Sequence, residues 1–268
     1  MRRPIIAMNF KNYINTESET TTLFKQMKQE LTSLGNLDEM NVYLFPSMGS
    51  LHIARDVFEG SSISYGSQNI APEKNGAFTG EYSIESLIDI GGDVVEIGHY
   101  ERITLFNESR ELINKKIKLT LENELTPLIC VGSEETILEG NAFKEYIQNQ
   151  LKSYFKGIII SETDNIVLAY EPAWAIGKKE AAPVEIVHNN HRLIREVLSE
   201  LMGEQVAQSI HLIYGGSVSK ENAGALVASK EVDGLFIGRF GHDPKNFREI
   251  SKEIIMKKSL VVLSQDNN

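Results

Sequence analysis

Short apolar runs alternate with longer amphipathic segments along most of the 268-residue chain. The apolar runs show little polar alternation, which is typical of parallel strands that are covered on both faces. The longer segments repeat apolar residues every three to four positions, as Leu23, Phe24, Met27 and Leu31 do, and this spacing predicts amphipathic helices. The two patterns succeed each other eight times, so the chain divides into eight strand–helix pairs.

The predicted elements keep the order of strand and then helix throughout. The predicted strands are Pro4–Met8, Val42–Phe45, Ser62–Gly66, Asp93–Ile97, Pro127–Val131, Ile166–Tyr170, Ile210–Tyr214 and Val232–Ile237. The predicted helices are Thr16–Thr32, Leu51–Phe58, Ser83–Ile90, Glu108–Glu124, Glu134–Phe155, Pro183–Met202, Glu221–Val227 and Pro244–Met256.

Parallel strands joined by right-handed helical crossovers close naturally into a (β/α)8 barrel of about 250 residues. The alternative α/β architecture is an open doubly wound sheet, which normally carries GxGxxG after its first strand. The residues at that position are Asn9-Phe10-Lys11-Asn12, which do not match. We therefore predict an α/β protein with a single (β/α)8 barrel over residues 1–258, followed by a polar tail over 259–268 that frays.

Charge and cysteine content narrow the functional class. The chain has 37 acidic and 27 basic residues, with no dense Lys/Arg cluster, so we expect no nucleic-acid partner. A small anionic substrate is still compatible, because a site can be locally positive on an acidic protein. The single cysteine, Cys130, lies in an apolar run, which indicates a reducing compartment. No apolar run is long enough to span a membrane, so we predict a cytoplasmic protein without a membrane partner.

One stretch, Asn165–Lys179, combines a buried strand with a single carboxylate at its exit, Glu171. Pro172 follows at once and restricts the backbone of Glu171 to an extended conformation. The apolar, glycine-containing segment beyond it suits a hinged lid that closes over a site and excludes water. A strand that runs into a turn, with Trp174 packed on the core, explains the same residues equally well. The stretch alone leaves both interpretations open.

Other polar side chains collect at the C-terminal ends of the predicted strands, where barrels build their active sites. Together with Glu171 they are Asn9, Lys11, Gln68, His99 and Glu101. The chain has no set of residues at metal-ligand spacing and no GxSxG turn, so we expect no metal ion and no acyl transfer. This set suits proton transfer, because it provides a base, a neutral hydrogen-bond donor and a cation that stabilises an oxyanion. Taken singly, each residue also fits a core or surface role.

Two glycine turns follow strands seven and eight, where barrels commonly bind phosphate. They are Gly215-Gly216-Ser217 and the turn at Gly238. Glycine lets the backbone approach an anion closely, and backbone N–H groups favour negative charge. A turn of this kind is more often only a tight connection, so it supports a phosphate site without requiring one.

Five motifs occur in order along nearly the whole chain. They are Asn9-Phe10-Lys11, Gly76–Glu81, Gly98-His99-x-Glu101-Arg102, Ala169–Gly177 and Tyr214–Val218. This set resembles the triosephosphate isomerase family, and the AYEPxWAIG and YGGSV motifs are specific in combination. The resemblance implies a TIM barrel without a cofactor. It also implies a homodimeric aldose–ketose isomerase that interconverts dihydroxyacetone phosphate and glyceraldehyde 3-phosphate through an enediolate.

The resemblance also implies roles for individual residues. Glu171 would be the catalytic base, His99 the neutral hydrogen-bond donor and Lys11 the cation at the oxyanion, with Glu101 supporting them. The residues implied to bind substrate are Asn9, Gly177, Gly216, Ser217, Gly238 and Arg239. Those implied to form the lid are Pro172, Ala173, Trp174, Ala175, Ile176, Gly177, Lys178 and Lys179. Thr79 would reach into a partner subunit and lie near Lys11 of the partner subunit.

The chain departs from the family pattern at several positions. Tyr100 stands where a serine is usual, Arg239 replaces a second glycine, and Ser133 replaces a glutamate that the lid tryptophan contacts. Lys178-Lys179-Glu180 replaces the usual Thr-Gly-Lys ending of the lid, and Ile103 replaces an arginine. These departures surround the ends of the substrate and the lid, which is where specificity is set.

Three functions therefore stay open at this point. The triose phosphate pair is the prediction, and isomerisation of a four-carbon tetrulose phosphate is the alternative. A non-catalytic barrel that binds a sugar phosphate is a third interpretation. The joint presence of Lys11, His99 and Glu171 argues against the third, because a binding protein has no need of a base.

Overall fold

The computed structural model describes residues 2–132, 139–175 and 182–265 of the chain. Its eight strands form one closed, all-parallel barrel in the order of the sequence, and the first strand pairs with the last. The strands are β1 (Ile5–Asn9), β2 (Asn41–Phe45), β3 (Ile63–Ser67), β4 (Val94–Ile97), β5 (Thr126–Val131), β6 (Val167–Tyr170), β7 (His211–Gly215) and β8 (Gly234–Ile237). The predicted fold class is confirmed.

Helices surround the barrel and cover the outer face of the strands. Those described are α1 (Glu17–Thr32), α2 (Leu51–Phe58), α3 (Ile84–Asp89), α4 (Tyr100–Phe106), α5 (Arg110–Glu122), α6 (Gly140–Tyr154), α7 (Val184–Met202), α8 (Glu204–Ser209), α9 (Ala223–Leu226) and α10 (Pro244–Gln265). None of them is long and apolar enough to cross a membrane.

Two hydrophobic layers result because successive side chains of a strand point to opposite faces. The larger layer lies between the barrel and the helices and includes Phe24, Ile97 and Ile194. The smaller layer fills the barrel interior. Its members are Ile5, Ala7, Tyr43, Phe45, Val94, Leu128, Cys130, Val167, Ala169, Ile213 and Phe236. The interior is therefore packed, and the space for a ligand lies at the strand ends.

The segment after β4 contains two helices where the pattern predicted one, Glu108–Glu124. α4 begins directly after His99, and Asn107 then adopts a left-handed conformation with φ 52°. Ser109 caps the next helix, α5, by accepting a hydrogen bond from the backbone N–H of Leu112. A left-handed residue stops a helix and a serine cap starts one, so the break follows from local chemistry that periodicity does not detect.

Two other predictions are corrected near the C-terminus. Gly203, with φ 84°, separates α7 from the short helix α8, which was not predicted. The closing helix α10 extends to Gln265, beyond its predicted end at Met256. The remaining bounds differ by a few residues, and α6 begins at Gly140, with the first part of its predicted range outside the described residues.

An ionic network lies at the N-terminal end of the barrel, beneath β7 and β8. Both carboxylate oxygens of Asp233 accept from Arg2 Nε at 2.8 Å, and one of them also accepts from Arg195 at 3.2 Å. The same carboxylate accepts from the backbone N–H of Leu212 at 2.7 Å, and Arg195 further contacts Glu231. Each buried charge of this network therefore has hydrogen-bonding partners.

Candidate active site

A cavity of about 150 Å³ opens at the C-terminal ends of the strands, and we call it the site cavity. An engineered cavity of about that volume holds a benzene molecule, so the space suits a small ligand. Its lining includes polar residues from the end of β1 and from the segments that follow β1, β4, β6, β7 and β8. The lining residues are Asn9, Lys11, Tyr13, His99, Glu101, Glu171, Gly216, Ser217, Phe236, Ile237, Gly238, Arg239 and Phe240. A larger groove of about 910 Å³ lies between α1 and α2, away from the strand ends.

Glu171 lies at the exit of β6, where its backbone N–H donates to the carbonyl of Val131 at 2.7 Å. Two glycines make room for it. A Cβ at Gly215 would lie 2.6 Å from Glu171 Cγ, and a Cβ at Gly132 would lie 2.1 Å from the Glu171 carbonyl oxygen. Among the described residues, Glu171 Oε2 is buried without a hydrogen-bond partner. This oxygen is therefore available to a ligand in the site cavity.

His99 caps the N-terminus of α4 and is almost fully buried. Its Nδ1 accepts from the backbone N–H of Glu101 at 3.2 Å, which leaves the ring proton on Nε2. Nε2 lies 3.9 Å from Glu171 Oε2. Burial lowers the pKa of His99, with the charge of Lys11 acting in the same direction and Glu171 and Glu101 opposing it. The imidazole is therefore held as a neutral donor that faces the carboxylate.

Lys11 follows β1 in a left-handed conformation, with φ 51°, which is uncommon for a residue with a side chain. Gln68 holds this backbone by donating from Nε2 to the Lys11 carbonyl at 3.0 Å. The ammonium group pairs with Glu101, whose other oxygen lies 3.7 Å from His99 Nδ1. Strained backbone that its surroundings hold in place is typical of functional sites. The amine is thus directed into the site cavity.

Asn9, the last residue of β1, is 5 % exposed and both ends of its amide are engaged. Its Oδ1 accepts from the backbone N–H of Lys11 at 2.6 Å. Its Nδ2 donates to Glu96 Oε1 at 2.8 Å. The orientation of the amide is therefore set by hydrogen bonds on either side.

The loops after β7 and β8 form the opposite wall of the site cavity with Gly216, Ser217 and Gly238. Ser217 Oγ donates to the carbonyl of Ala175 at 3.5 Å, which connects this wall to the segment after Glu171. Arg239 also lines the cavity and is otherwise exposed. The predicted glycine turns and the predicted catalytic side chains thus border the same space.

Part of the predicted lid is described. Ala173–Ala175 forms a single 3-10 turn directly after Pro172, closed by the Ala175 N–H on the Pro172 carbonyl at 2.8 Å. At the far end, the Ala182 N–H donates to the Tyr214 hydroxyl at 3.1 Å. The predicted lid residues Ile176, Gly177, Lys178 and Lys179 lie outside the described residues, as does Ser133.

Thr79, the predicted dimer contact, is exposed on the loop between β3 and α3. The base of this loop is anchored, because the Ala71 N–H donates to the Tyr82 carbonyl at 2.8 Å. Glu81 bonds Asn69 and also pairs with Arg102 at 3.2 Å. The loop is therefore a projecting feature with a fixed base.

Tyr100 lies behind Glu171 and not in the site cavity. It lines a separate cavity of about 80 Å³ with Glu171, Cys130 and Ile103. Two of the departures from the family pattern thus meet behind the carboxylate, whereas Arg239 meets the ligand space directly.

The family model for triosephosphate isomerase matches residues 4–254. A probable triosephosphate isomerase 2 from Listeria monocytogenes serotype 4b is 44 % identical over 250 residues, covering 93 % of this chain and 96 % of the relative. A triosephosphate isomerase from Dictyoglomus turgidum is 38 % identical over 250 residues, covering 93 % and 99 %. The crystal structure of triosephosphate isomerase from Bartonella henselae superposes with a TM-score of 0.81 at 28 % identity, covering 94 % of this chain and 99 % of that one.

The chain belongs to the triosephosphate isomerase family. It is therefore an isomerase, and the family resemblance inferred from the motifs is confirmed. In this member of the family, a carboxylate, a neutral imidazole and an amine border one small cavity. That set can remove a proton from carbon, donate to the adjacent oxygen and balance the charge that develops there.

Several residues of this site were not predicted from sequence. Tyr13 and Phe240 line the site cavity from loops, where no periodic pattern marks them. Glu96 contacts Asn9 from β4, and its signal was visible as the one charged residue in the apolar strand Val94–Ile97. Among residues 2–132, 139–175 and 182–265, no group of three or more His, Cys, Asp or Glu side chains is arranged to hold a metal ion.

Proposed function

We propose that this isomerase interconverts dihydroxyacetone phosphate and glyceraldehyde 3-phosphate. The observation that carries the proposal is the meeting of Glu171, His99 and Lys11 at one cavity, in a chain of the triosephosphate isomerase family. The names of the relatives support the triose pair over the four-carbon alternative. The presence of a buried base next to a neutral donor supports an enzyme over a sugar-phosphate-binding protein.

Glu171 is the base in the proposed reaction. It takes a proton from C1 of dihydroxyacetone phosphate, which leaves an enediolate, and returns a proton to C2. The hydroxyl proton moves from O1 to O2 in the same conversion, which gives the aldehyde at C1. The oxygen Oε2 of Glu171 lacks a partner among the described residues and is 3.9 Å from His99 Nε2, so adjacent atoms of one small substrate can contact both groups from the site cavity. The same carboxylate can therefore remove the proton from C1 and return a proton to C2.

His99 and Lys11 stabilise the enediolate. The neutral imidazole donates its Nε2 proton to the carbonyl and enediolate oxygens, as the hydrogen bond on Nδ1 allows. Lys11 supplies positive charge to the oxyanion, Asn9 positions the substrate, and Glu101 holds the amine. A neutral histidine beside a carboxylate base is the established arrangement in the triosephosphate isomerase family, and we extend it to this chain.

The phosphate group is proposed to bind the backbone N–H groups of Gly177, Ser217 and Gly238, with Gly216 providing close approach. A phosphate between the loops after the last two strands is common in barrels of this type. Arg239 at the same wall adds a positive charge near an anionic ligand. The segment from Pro172 to Lys179 is proposed to act as the lid that excludes water.

We also propose a homodimer in the cytoplasm. The loop between β3 and α3, on which Thr79 is exposed, is the proposed contact, inserted near Lys11 of the partner subunit. The lone buried cysteine, Cys130, supports a reducing compartment. Sedimentation of the purified protein should give twice the mass of one chain.

The function is tested by assaying the purified protein on triose phosphates and on a tetrulose phosphate side by side. We expect a clear preference for the triose pair, and a large preference for the four-carbon substrate would overturn the proposal. Glu171→Asp retracts the carboxylate by one methylene and should slow proton exchange between bound ketose and deuterated solvent sharply. Exchange that is missing even at high enzyme concentration would indicate a binding protein.

A further inference from the structure

A carboxyl group lies inside the barrel beneath the site cavity, on Glu96 of β4. The strand reads Val94-Val95-Glu96-Ile97, and all four residues are buried. Val94 belongs to the interior layer and Glu96 is two residues on, so both side chains point into the barrel. Glu96 is fully buried. A carboxyl group in this position is costly unless it has partners or stays neutral.

The side chain of Glu96 forms a hydrogen bond with a residue that lines the site cavity. Oε1 accepts from Asn9 Nδ2 at 2.8 Å, while Oε2 is buried without a partner among the described residues. The amide group of Asn9 carries two N–H donors on Nδ2. One is used on Glu96, and the other is left for a ligand in the cavity that Asn9 borders.

The charges around Glu96 favour its neutral form. Burial raises the pKa of Glu96 well above its usual range, and the nearby carboxylate of Glu171 adds to the rise. Glu101 acts in the same direction, whereas the Asn9 hydrogen bond and the Lys11 ammonium oppose it. Cys130 on β5 also faces this group, and burial with both carboxylates raises the pKa of its thiol. A neutral Glu96 therefore places no second negative charge near Glu171 in the barrel interior.

Given the isomerase function proposed above, we propose that Glu96 is a positioning residue. As a neutral carboxylic acid it holds the Asn9 amide by one N–H, so that the second N–H faces the substrate oxygen. It acts through Asn9 and does not touch the substrate itself. The alternative is that Glu96 is only a buried polar side chain whose removal affects stability and nothing else.

Two substitutions separate these roles. Glu96→Gln keeps the shape and an acceptor for Asn9, whereas Glu96→Leu keeps the volume and removes the acceptor. We expect Glu96→Leu to lower kcat/KM by about tenfold to a hundredfold, the range for a buried polar group that loses its partner. Glu96→Gln should recover most of that loss. Equal activity in Glu96→Leu and the wild type would overturn the proposal.

The matched control is Val94→Ala, which also removes a buried interior group from β4 but lies apart from the Asn9–Glu96 hydrogen bond. It should lower the midpoint of urea unfolding while leaving kcat/KM unchanged. A double-mutant cycle with Asn9→Ala completes the comparison. Glu96→Leu should cost little further activity once Asn9 is truncated, and a full additional loss would show that the effect does not pass through Asn9.

The pH profile tests the protonation state. If Glu96 is neutral, Glu96→Gln leaves the acid limb of kcat/KM where it is in the wild type. If Glu96 is ionised, the substitution removes a negative charge near Glu171, and the acid limb moves to lower pH. A move of that kind would overturn the neutral form.

A readout without turnover keeps this inference separate from the proposed function. In 15N spectra of the full chain, the Asn9 side-chain NH2 pair, assigned by its loss in Asn9→Ala, should exchange slowly with solvent. The pair should stay protected in Glu96→Gln and lose protection in Glu96→Leu. Unchanged protection in Glu96→Leu would overturn the anchoring role even if the enzyme were inactive on triose phosphates.

Discussion

The two ends of the barrel both bury carboxyl groups, but the hydrogen bonding of these groups differs. At the N-terminal end, Asp233 is bonded by Arg2, Arg195 and a backbone N–H. At the C-terminal end, Glu171 and Glu96 each keep a buried oxygen without a partner among the described residues. The first arrangement stabilises the fold. The second leaves the Glu171 carboxylate available for substrate, whereas the role proposed for Glu96 is to hold Asn9. Barrels of this class generally separate stability and chemistry between their two ends.

The difference follows from what each end must do. A fully bonded carboxylate has no capacity left for a substrate, and an unbonded one has a high desolvation cost. The C-terminal end carries that cost at Glu171, which borders the same cavity as the neutral His99 and the Lys11 amine. The same chemical change should therefore have opposite consequences at the two ends.

The largest effect is expected from Glu171→Gln at the C-terminal end. Removal of a general base should lower kcat/KM by about a thousandfold, within the usual range for such groups. The midpoint of thermal unfolding should not fall, because Oε2 has no hydrogen-bond partner among the described residues. Steady-state kinetics and calorimetry measure the two quantities. A variant that keeps a tenth of the activity would contradict the role given to Glu171.

Asp233→Asn is the matched change at the N-terminal end. It should lower the free energy of unfolding by about 3–5 kcal/mol, because it removes one of the two carboxylates that pair with the buried guanidinium of Arg195, the other being Glu231. Activity per folded molecule should stay the same, since the site cavity is at the other end. Urea unfolding measures the loss. If Asp233→Asn lost activity while its free energy of unfolding stayed unchanged, the assignment of stability to the N-terminal end and chemistry to the C-terminal end would be contradicted.

A smaller effect concerns His191 of α7, which is fully buried between the rings of Tyr170 and Tyr214. Burial lowers the pKa of His191 to about 4, against 6.5 in the unfolded chain. Above pH 6.5 both states are neutral. As the pH falls toward 4, the unfolded state binds a proton that the folded state does not, so stability is lost. From about pH 7.5 to about pH 5 the loss from this group is about 2 kcal/mol.

His191→Phe keeps a ring in that position and removes the titration. The wild type should lose more unfolding free energy than the variant between about pH 7.5 and about pH 5, whatever their stabilities at the higher pH. Urea titrations at several pH values give the two slopes. Parallel slopes would show that His191 does not stay neutral in the folded protein.

The smallest effect is expected on the outer helices. Glu111 and Lys115 are one turn apart on α5, with Nζ and Oε1 3.8 Å apart and both side chains exposed. Glu111→Gln should change the free energy of unfolding by less than about 0.5 kcal/mol, because water screens exposed pairs. If Glu111→Gln changed the free energy of unfolding as much as Asp233→Asn does, burial would not explain why the two ion pairs differ in their contribution to stability.

The sequence alone determined the barrel, because its strands and helices have different periods and keep one order. It also determined that Asn9, Lys11, His99 and Glu171 share one end, since each follows a strand of a parallel sheet. The short helix α4 before Asn107 was missed because its limits depend on a cap at His99 and one left-handed residue at Asn107.

Only the tertiary structure decided which of these groups touch. Asn9 and Glu96 are 87 positions apart on strands that are not neighbours, and their hydrogen bond exists because the closed barrel brings opposite inner faces together. Tyr100 lies behind Glu171, and Arg239 lies in front of it. These positions likewise depend on the direction in which each loop leaves its strand. Periodicity specifies which face of a strand is buried, whereas barrel closure specifies what that face meets.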